Sequence, residues 1–472
     1  MGIKNMNSIN PNSVKLKNLS LFLFFIFTIN FLIILNVFSQ VTEQWAVRYN
    51  GPGNSDDGAY AMAIDSSGNV YVTGGSVGSG TDYDYATIKY NNSGVQQWEA
   101  RYNGLGNIGD GANAIAVDAS GNVYVTGYSM GTSDDYATIM YNSVGVQQWA
   151  SRYDGLGNST DCAEAIAIDN SGNVYVTGGS MGSGTAWDYA TIKYNSAGVQ
   201  QWASRYDGPV NSDDYAKDIA VDTSGNVYVT GYSSGSGTVS DYATIKYNSA
   251  GVQQWASRYD GPGNGYDVGY AIAIDSLGNV YVTGDSGGLG TIQDYATIKY
   301  NNSGVQQWAS RYDSPVNGND CARPIVIDSL GNVYVTGWSE DSVTMQGYAT
   351  IKYNSLGAEQ WVSRYNGPGN GYDYANSIAI DNSGNVYITG WSGGLGTSED
   401  YATIKYNNSG IQQWAARYNA ANGFDEAHAI AIDSSGNVYV TGGSEGSGTG
   451  FDYATIKYSQ GTSIKDCIWS LY

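Results

Sequence analysis

Residues able to do chemistry recur along this 472-residue chain at fixed intervals, and the intervals constrain what they can do. One series of aspartates, Asp57, Asp110 and their equivalents through Asp425, precedes an Ala-Ile segment, and a second, Asp65 through Asp433, follows it. A third, Asp84 through Asp452, precedes a Tyr-Ala-Thr-Ile segment and is broken once, at Gly347. Carboxylates repeated in this way either bind cations or cap backbone amides. The Asp65-Ser66-Ser67-Gly68-Asn69 stretch begins like a calcium loop but lacks the further carboxylates and distal Glu that such a loop uses. Amide capping, with Gly68 at positive φ, suits the residues better. No cofactor is required by the pattern, and calcium is the one ion it admits.

Other chemistry is sparsely supplied. His428 is the single histidine and has no triad partner visible in sequence, so no catalytic residue is assigned. Cys162 and Cys321 hold one slot of two units three apart, too far for a disulfide, and Cys467 lies in the tail. Gly104-Leu105-Gly106-Asn107-Ile108-Gly109 matches a dinucleotide-binding string, but a strand follows it and sibling loops break it. Lys and Arg total 21 against 43 Asp and Glu, a balance that repels phosphate backbones and excludes a nucleic-acid partner. Beyond residue 40, 15 of the 18 basic residues are periodic, as Arg48, Lys89 and their equivalents, and so form no basic patch.

The elements that must carry these residues are short strands. Gly-Asn-Val-Tyr begins at Gly68, Gly121, Gly172, Gly225, Gly278, Gly331, Gly384 and Gly436, at spacings of 51 to 53 residues. Each unit holds four segments rich in β-branched and aromatic residues, bounded by Gly, Asn, Asp or Ser, and none shows a helical period. Four antiparallel strands per period of about 50 residues predict an all-β chain closed as one β-propeller. The chain opens on a Trp-bearing strand, Gln44 to Tyr49, and its last unit stops at Tyr453 to Tyr458 without one. The N-terminal strand is therefore expected to complete the last blade and remove the open edges.

The string Ala-Ile-Asp-Ser-Ser-Gly-Asn-Val-Tyr-Val-Thr-Gly at positions 63 to 74 resembles the SBBP (seven-bladed β-propeller) repeat family, over about Trp45 to Tyr458. The resemblance implies a bacterial secreted propeller of seven blades, whereas the unit count gives eight, with seven as the alternative.

Residues 1–39 read as a signal peptide: only positive charge up to residue 20, an apolar run from Leu21 to Phe38, and small Val37 and Ser39 for cleavage. An uncleaved anchor is the alternative. Residues 40–458 form the propeller and 459–472 a short tail, too short for the C-terminal sorting domain that some such bacterial proteins carry. The expectation is a monomer, secreted or held at the cell surface or in the periplasm, with no membrane span after cleavage.

Near-uniform units leave little room for one catalytic constellation, so the reading is a non-catalytic binding or surface-structural module. The alternative is a propeller lyase or hydrolase acting on an extracellular polymer. Connectivity places the loops after the Trp strand and after Val-Thr-Gly on one face, and there the units diverge. Tyr128, Tyr232, Asp285, Trp338 and Trp391 occupy one slot just past Thr-Gly, with Trp187 nearby in the same region. Rings beside a carboxylate suit stacking on sugars or anchoring a protein, so an extracellular glycan or protein is the expected partner.

Overall fold

In the computed structural model, residues 41–156, 158–184, 186–340 and 345–461 are described, and every regular element among them is a β-strand. The leader and most of the tail lie outside these residues. The body spanning Thr42–Ser459 consists of eight four-stranded antiparallel sheets arranged in a ring. The first blade runs outward as β2 (Asp57–Ile64), β3 (Val70–Val77), β4 (Tyr83–Tyr90) and β5 (Gln96–Tyr102). Strand β1 (Val41–Tyr49) pairs with the final strand, Gly450–Gln460, as the outer strand of the eighth blade. Eight blades and N-terminal closure both agree with the sequence reading, and the seven blades of the family name do not hold.

Burial explains the composition of the strands. Val70, Tyr71, Val72 and Thr73 of β3 are all fully buried, because a neighbouring blade covers each face of the sheet. Small residues let the inner strands approach: a Cβ on Gly74 would lie 1.9 Å from the carbonyl oxygen of Gly58, which is why Gly follows Thr in every unit. A repeated tyrosine joins the blades. The buried Tyr85 hydroxyl donates to the Ala137 carbonyl of the next blade at 3.1 Å, the equivalent bond recurs round the ring, and Tyr453 closes it on Ala86 at 3.2 Å. A buried hydroxyl left without a partner would cost more than the bond contributes, so the partner must be supplied at every junction.

The closing blade repeats the bonding of the others. Within the first blade Arg101 donates to Asp84 Oδ2 at 2.9 Å and to the Ser76 carbonyl at 2.7 Å. Arg48 makes the corresponding bonds to Asp452 Oδ2 at 2.7 Å and Ser444 O at 2.6 Å, across almost the whole sequence. Trp45 lies between Tyr439 and Tyr90, its ring centroid 6.2 and 6.5 Å from theirs.

Candidate ligand-binding site at the channel mouth

The periodic aspartates are structural in geometry. Asp65 Oδ1 accepts from the amides of Ser67 and Asn69, both at 2.9 Å, while Oδ2 accepts from Asn69 Nδ2 at 2.7 Å and the Tyr71 hydroxyl at 3.0 Å. Burial alone would raise this carboxyl, but the four donors outweigh it and hold the group below its ordinary value. Asp57 does not stand open at a channel mouth. It is buried, taking the Gly51 amide on Oδ2 at 2.6 Å and the Val77 amide on Oδ1 at 3.1 Å, and so ties the loop at Gly51 and the end of β3 to the inner strand. At four adjacent junctions a third aspartate joins these series: in Asp135–Asp154–Asp161, Asp188–Asp207–Asp214, Asp241–Asp260–Asp267 and Asp294–Asp313–Asp320, one oxygen from each residue lies within 4.8 Å of the others. These are the groups among the described residues that could hold a cation.

A second set of residues diverges between blades, and the pairing register locates it. Each inner strand carries a β-bulge at the same place, between Ala59 and Ala61 in the first blade. A bulge re-aims its extra residue out of the pleat. The bulged positions are Tyr60, Asn113, Glu164, Lys217, Tyr270, Arg323, Asn376 and His428, six residue types at one station of a nearly uniform repeat. Their contacts run along the ring. The Tyr60 ring lies 5.6 Å from His428, Asn113 Nδ2 donates to the Ala163 carbonyl at 2.9 Å, Lys217 Nζ is 3.5 Å from Glu164 Oε1, and the Arg323 guanidinium sits 4.2 Å over Tyr270. They border the central channel, on the inner strands and toward the variable face.

The residues singled out past Thr-Gly adjoin this station, but they are strand residues rather than loop residues, because the second strand of each blade continues beyond Thr-Gly. Tyr128, Tyr232, Asp285, Trp338 and Trp391 pair directly with Gly111, Tyr215, Val268, Cys321 and Tyr374 of the inner strands. Trp187 opens a third strand, opposite Met181. Two ring clusters result. Trp391 stacks on Tyr374 at 4.3 Å, with Trp338 of the preceding blade 5.4 Å away on Tyr374. Three blades back, Tyr215 lies 5.3 Å from Trp187 and 6.1 Å from Tyr232. Tyr128 lies against Gly111, where a Cβ would meet the ring at 2.8 Å.

Asp285 departs from the surface role expected of it. It is only 3% exposed, and burial pushes its carboxyl up to about 7 against the opposing pull of Cys321, Arg323 and Tyr270, the groups that face it. A raised folded-state value means that the protonated form stabilises the fold at low pH and that this contribution is lost as pH rises through about 7. Asp285→Asn should therefore match the parent's melting temperature at pH ~4 and exceed it by a few degrees at pH ~8. A calorimetric difference between the two proteins that is constant across that range would contradict the assignment. Burial likewise pulls His428 down to about 4, so at neutral pH its imidazole is uncharged, 3.8 Å from Glu426 Oε2 and in contact with Tyr60.

Cys162 and Cys321 are free thiols on inner strands of the third and sixth blades. On the opposite face, shallow clefts of about 310 to 450 Å³ lie between adjacent Asp-to-Asn turns, lined by repeated residues such as Asp169, Lys193 and Asp222. Sequence reading passed over the bulged station apart from His428. Its signal was nonetheless present: the second residue after each Asp of the first series, Ala59 and its equivalents, is nearly constant, and the one after that never settles.

The β-propeller repeat family SBBP matches residues 44–79, 204–237, 254–290, 360–396 and 413–448. An uncharacterized WD repeat-containing protein of Acanthamoeba polyphaga mimivirus is 21% identical over 504 residues, covering 73% of this chain and 36% of its own. The chain thus spans about a third of that relative. Among solved structures, the periplasmic gluconolactonase of Pseudomonas aeruginosa has 12% identity and a TM-score of 0.47, over 74% of this chain and 94% of that one. A eukaryotic initiation factor has 8% identity and a TM-score of 0.43, over 81% and 90%.

Proposed function

We propose that this protein, an eight-bladed propeller of SBBP β-propeller repeats, is an exported, non-catalytic binding module that takes an extracellular glycan or protein ligand at the channel mouth on its variable face. The observation that carries the reading is the contrast between two kinds of position. A requirement common to all eight junctions is met by one residue type, as with Tyr85 and its equivalents. The bulged station has no such common solution, and its mixture of amide, carboxylate, cation and phenol suits a single asymmetric ligand placed across the ring. Tyr60 of this station is exposed, and beside it the partly buried rings of Trp338, Tyr374 and Trp391 and the exposed Tyr372 offer flat faces to a sugar or a partner's side chain.

A glycan and peptide array probed with the chain from Gln40 onward tests this. Capture of a defined class of ligand is expected, with at least tenfold loss in Tyr60→Ala and in Trp391→Ala at equal folded fraction. Because Trp391 packs on Tyr374, its truncation should also lower the melting temperature, whereas Tyr60→Ala should not. Capture unchanged in both variants would move the site elsewhere, and turnover of a bound polymer would make the protein an enzyme.

A further inference from the structure

The two described cations outside the repeat pattern stand at one station of the channel wall. Every other described lysine and arginine is periodic: the lysines lie over the Tyr71-type rings, except in the second unit, where Met140 replaces the lysine, and the arginines belong to the Arg101-type network. Lys217 and Arg323 instead hold the bulged position of the fourth and sixth blades, with Tyr270 at the same position of the fifth between them. Nothing in the repeat requires a cation there, since the other six blades carry Tyr, Asn, Glu or His.

Arg323 is exposed, and among the described residues no carboxylate makes an ion pair with it. Its guanidinium carbon lies 4.2 Å over the Tyr270 ring, with Cys321 also against the fork, so the cation is held in place on the channel wall while the residue remains exposed to a ligand. The buried Asp285 faces it from the second strand of the fifth blade without forming an ion pair. Lys217, 4.2 Å over Tyr215 and 3.5 Å from Glu164, adds a second positive charge on the same wall. In a chain of net charge −22, two such cations are the local exception and mark where an anion is tolerated.

We infer that the ligand carries a carboxylate, as a uronic-acid residue of an acidic glycan does, and that Arg323 holds that carboxylate while neighbouring rings take the sugar and Lys217, two blades away, adds to the attraction. The inference rests on the binding reading above and names its ligand class. A guanidinium edge matches a carboxylate bidentately.

Calorimetric titration of the chain from Gln40 onward with a galacturonate tetramer, its fully methyl-esterified form and inorganic phosphate is the test. The acid should bind and weaken with added salt, and the neutral ester should bind roughly tenfold or more weakly, as loss of a charge-assisted pair implies. Arg323→Gln should weaken the acid to the level of the ester and leave the ester unchanged, with Lys217→Gln intermediate. Arg323→Lys keeps the charge without the fork and should fall between parent and Arg323→Gln, which separates the contact from any loss of folding. Equal affinity for acid and ester, or an unaffected Arg323→Gln, overturns the inference while binding at the mouth stands. Phosphate competing as well as the uronate overturns the assignment to a sugar acid. Binding of none of the array ligands or these probes fails both readings together.

Discussion

A chain lacking Val41–Tyr49 should lose the single sharp unfolding transition of the full protein and melt broadly at markedly lower temperature. Three consequences of the closure combine. The final strand, Gly450–Gln460, becomes an unpaired edge open to association with other chains. Asp452, only 4% exposed, loses the Arg48 guanidinium that pairs with it, and an uncompensated buried charge is among the more destabilising single losses a fold can suffer. The gap between Tyr439 and Tyr90 loses Trp45, and Tyr453 loses the Tyr49 ring at 5.4 Å. Scanning calorimetry with size-exclusion chromatography would show the effect, and a synthetic peptide of residues 41–49 added in trans should restore part of the lost stability. Undiminished cooperativity in the truncated chain would mean that the ring does not depend on its closing strand.

That closure was legible because the two chain ends are complementary fragments of one repeat, and repeats make such arithmetic possible. The capping role of Asp65 was legible for a similar reason, since Asp, Gly and Asn at those offsets have few other uses. The Tyr71 hydroxyl on the same carboxylate was not, because that strand residue reaches it only through the fold of the hairpin. Nor was the inter-blade bond from Tyr85 to Ala137, which joins residues 52 positions apart.

The bulged station was missed for a more instructive reason. Alternation of side chains along a strand assigns faces by counting in twos, and a bulge breaks the count at the residue that matters. Tyr60 in isolation reads as a strand residue facing a neighbouring sheet; only the register shift between Ala59 and Ala61 shows otherwise. The slot after Thr-Gly was found by its variability but misplaced into a loop, since Gly in a strand looks like the end of it. Asp285 looked like a surface carboxylate for want of any local sign that Cys321 and Tyr270 would enclose it.

If the uniform ring is scaffold and its one divergent station the binding site, the residues of that station alone should govern capture. Asn already stands at that station in Asn113 and Asn376, and its amide donates to the adjoining blade at 2.9 Å in both, so the ring tolerates it. The decisive measurement is ligand capture by a variant carrying Tyr60→Asn, Glu164→Asn, Lys217→Asn, Tyr270→Asn, Arg323→Asn and His428→Asn together. The expected result is a folded protein with a cooperative melt and no capture of any ligand that the parent holds; capture persisting at parental affinity in that folded variant would place the site elsewhere.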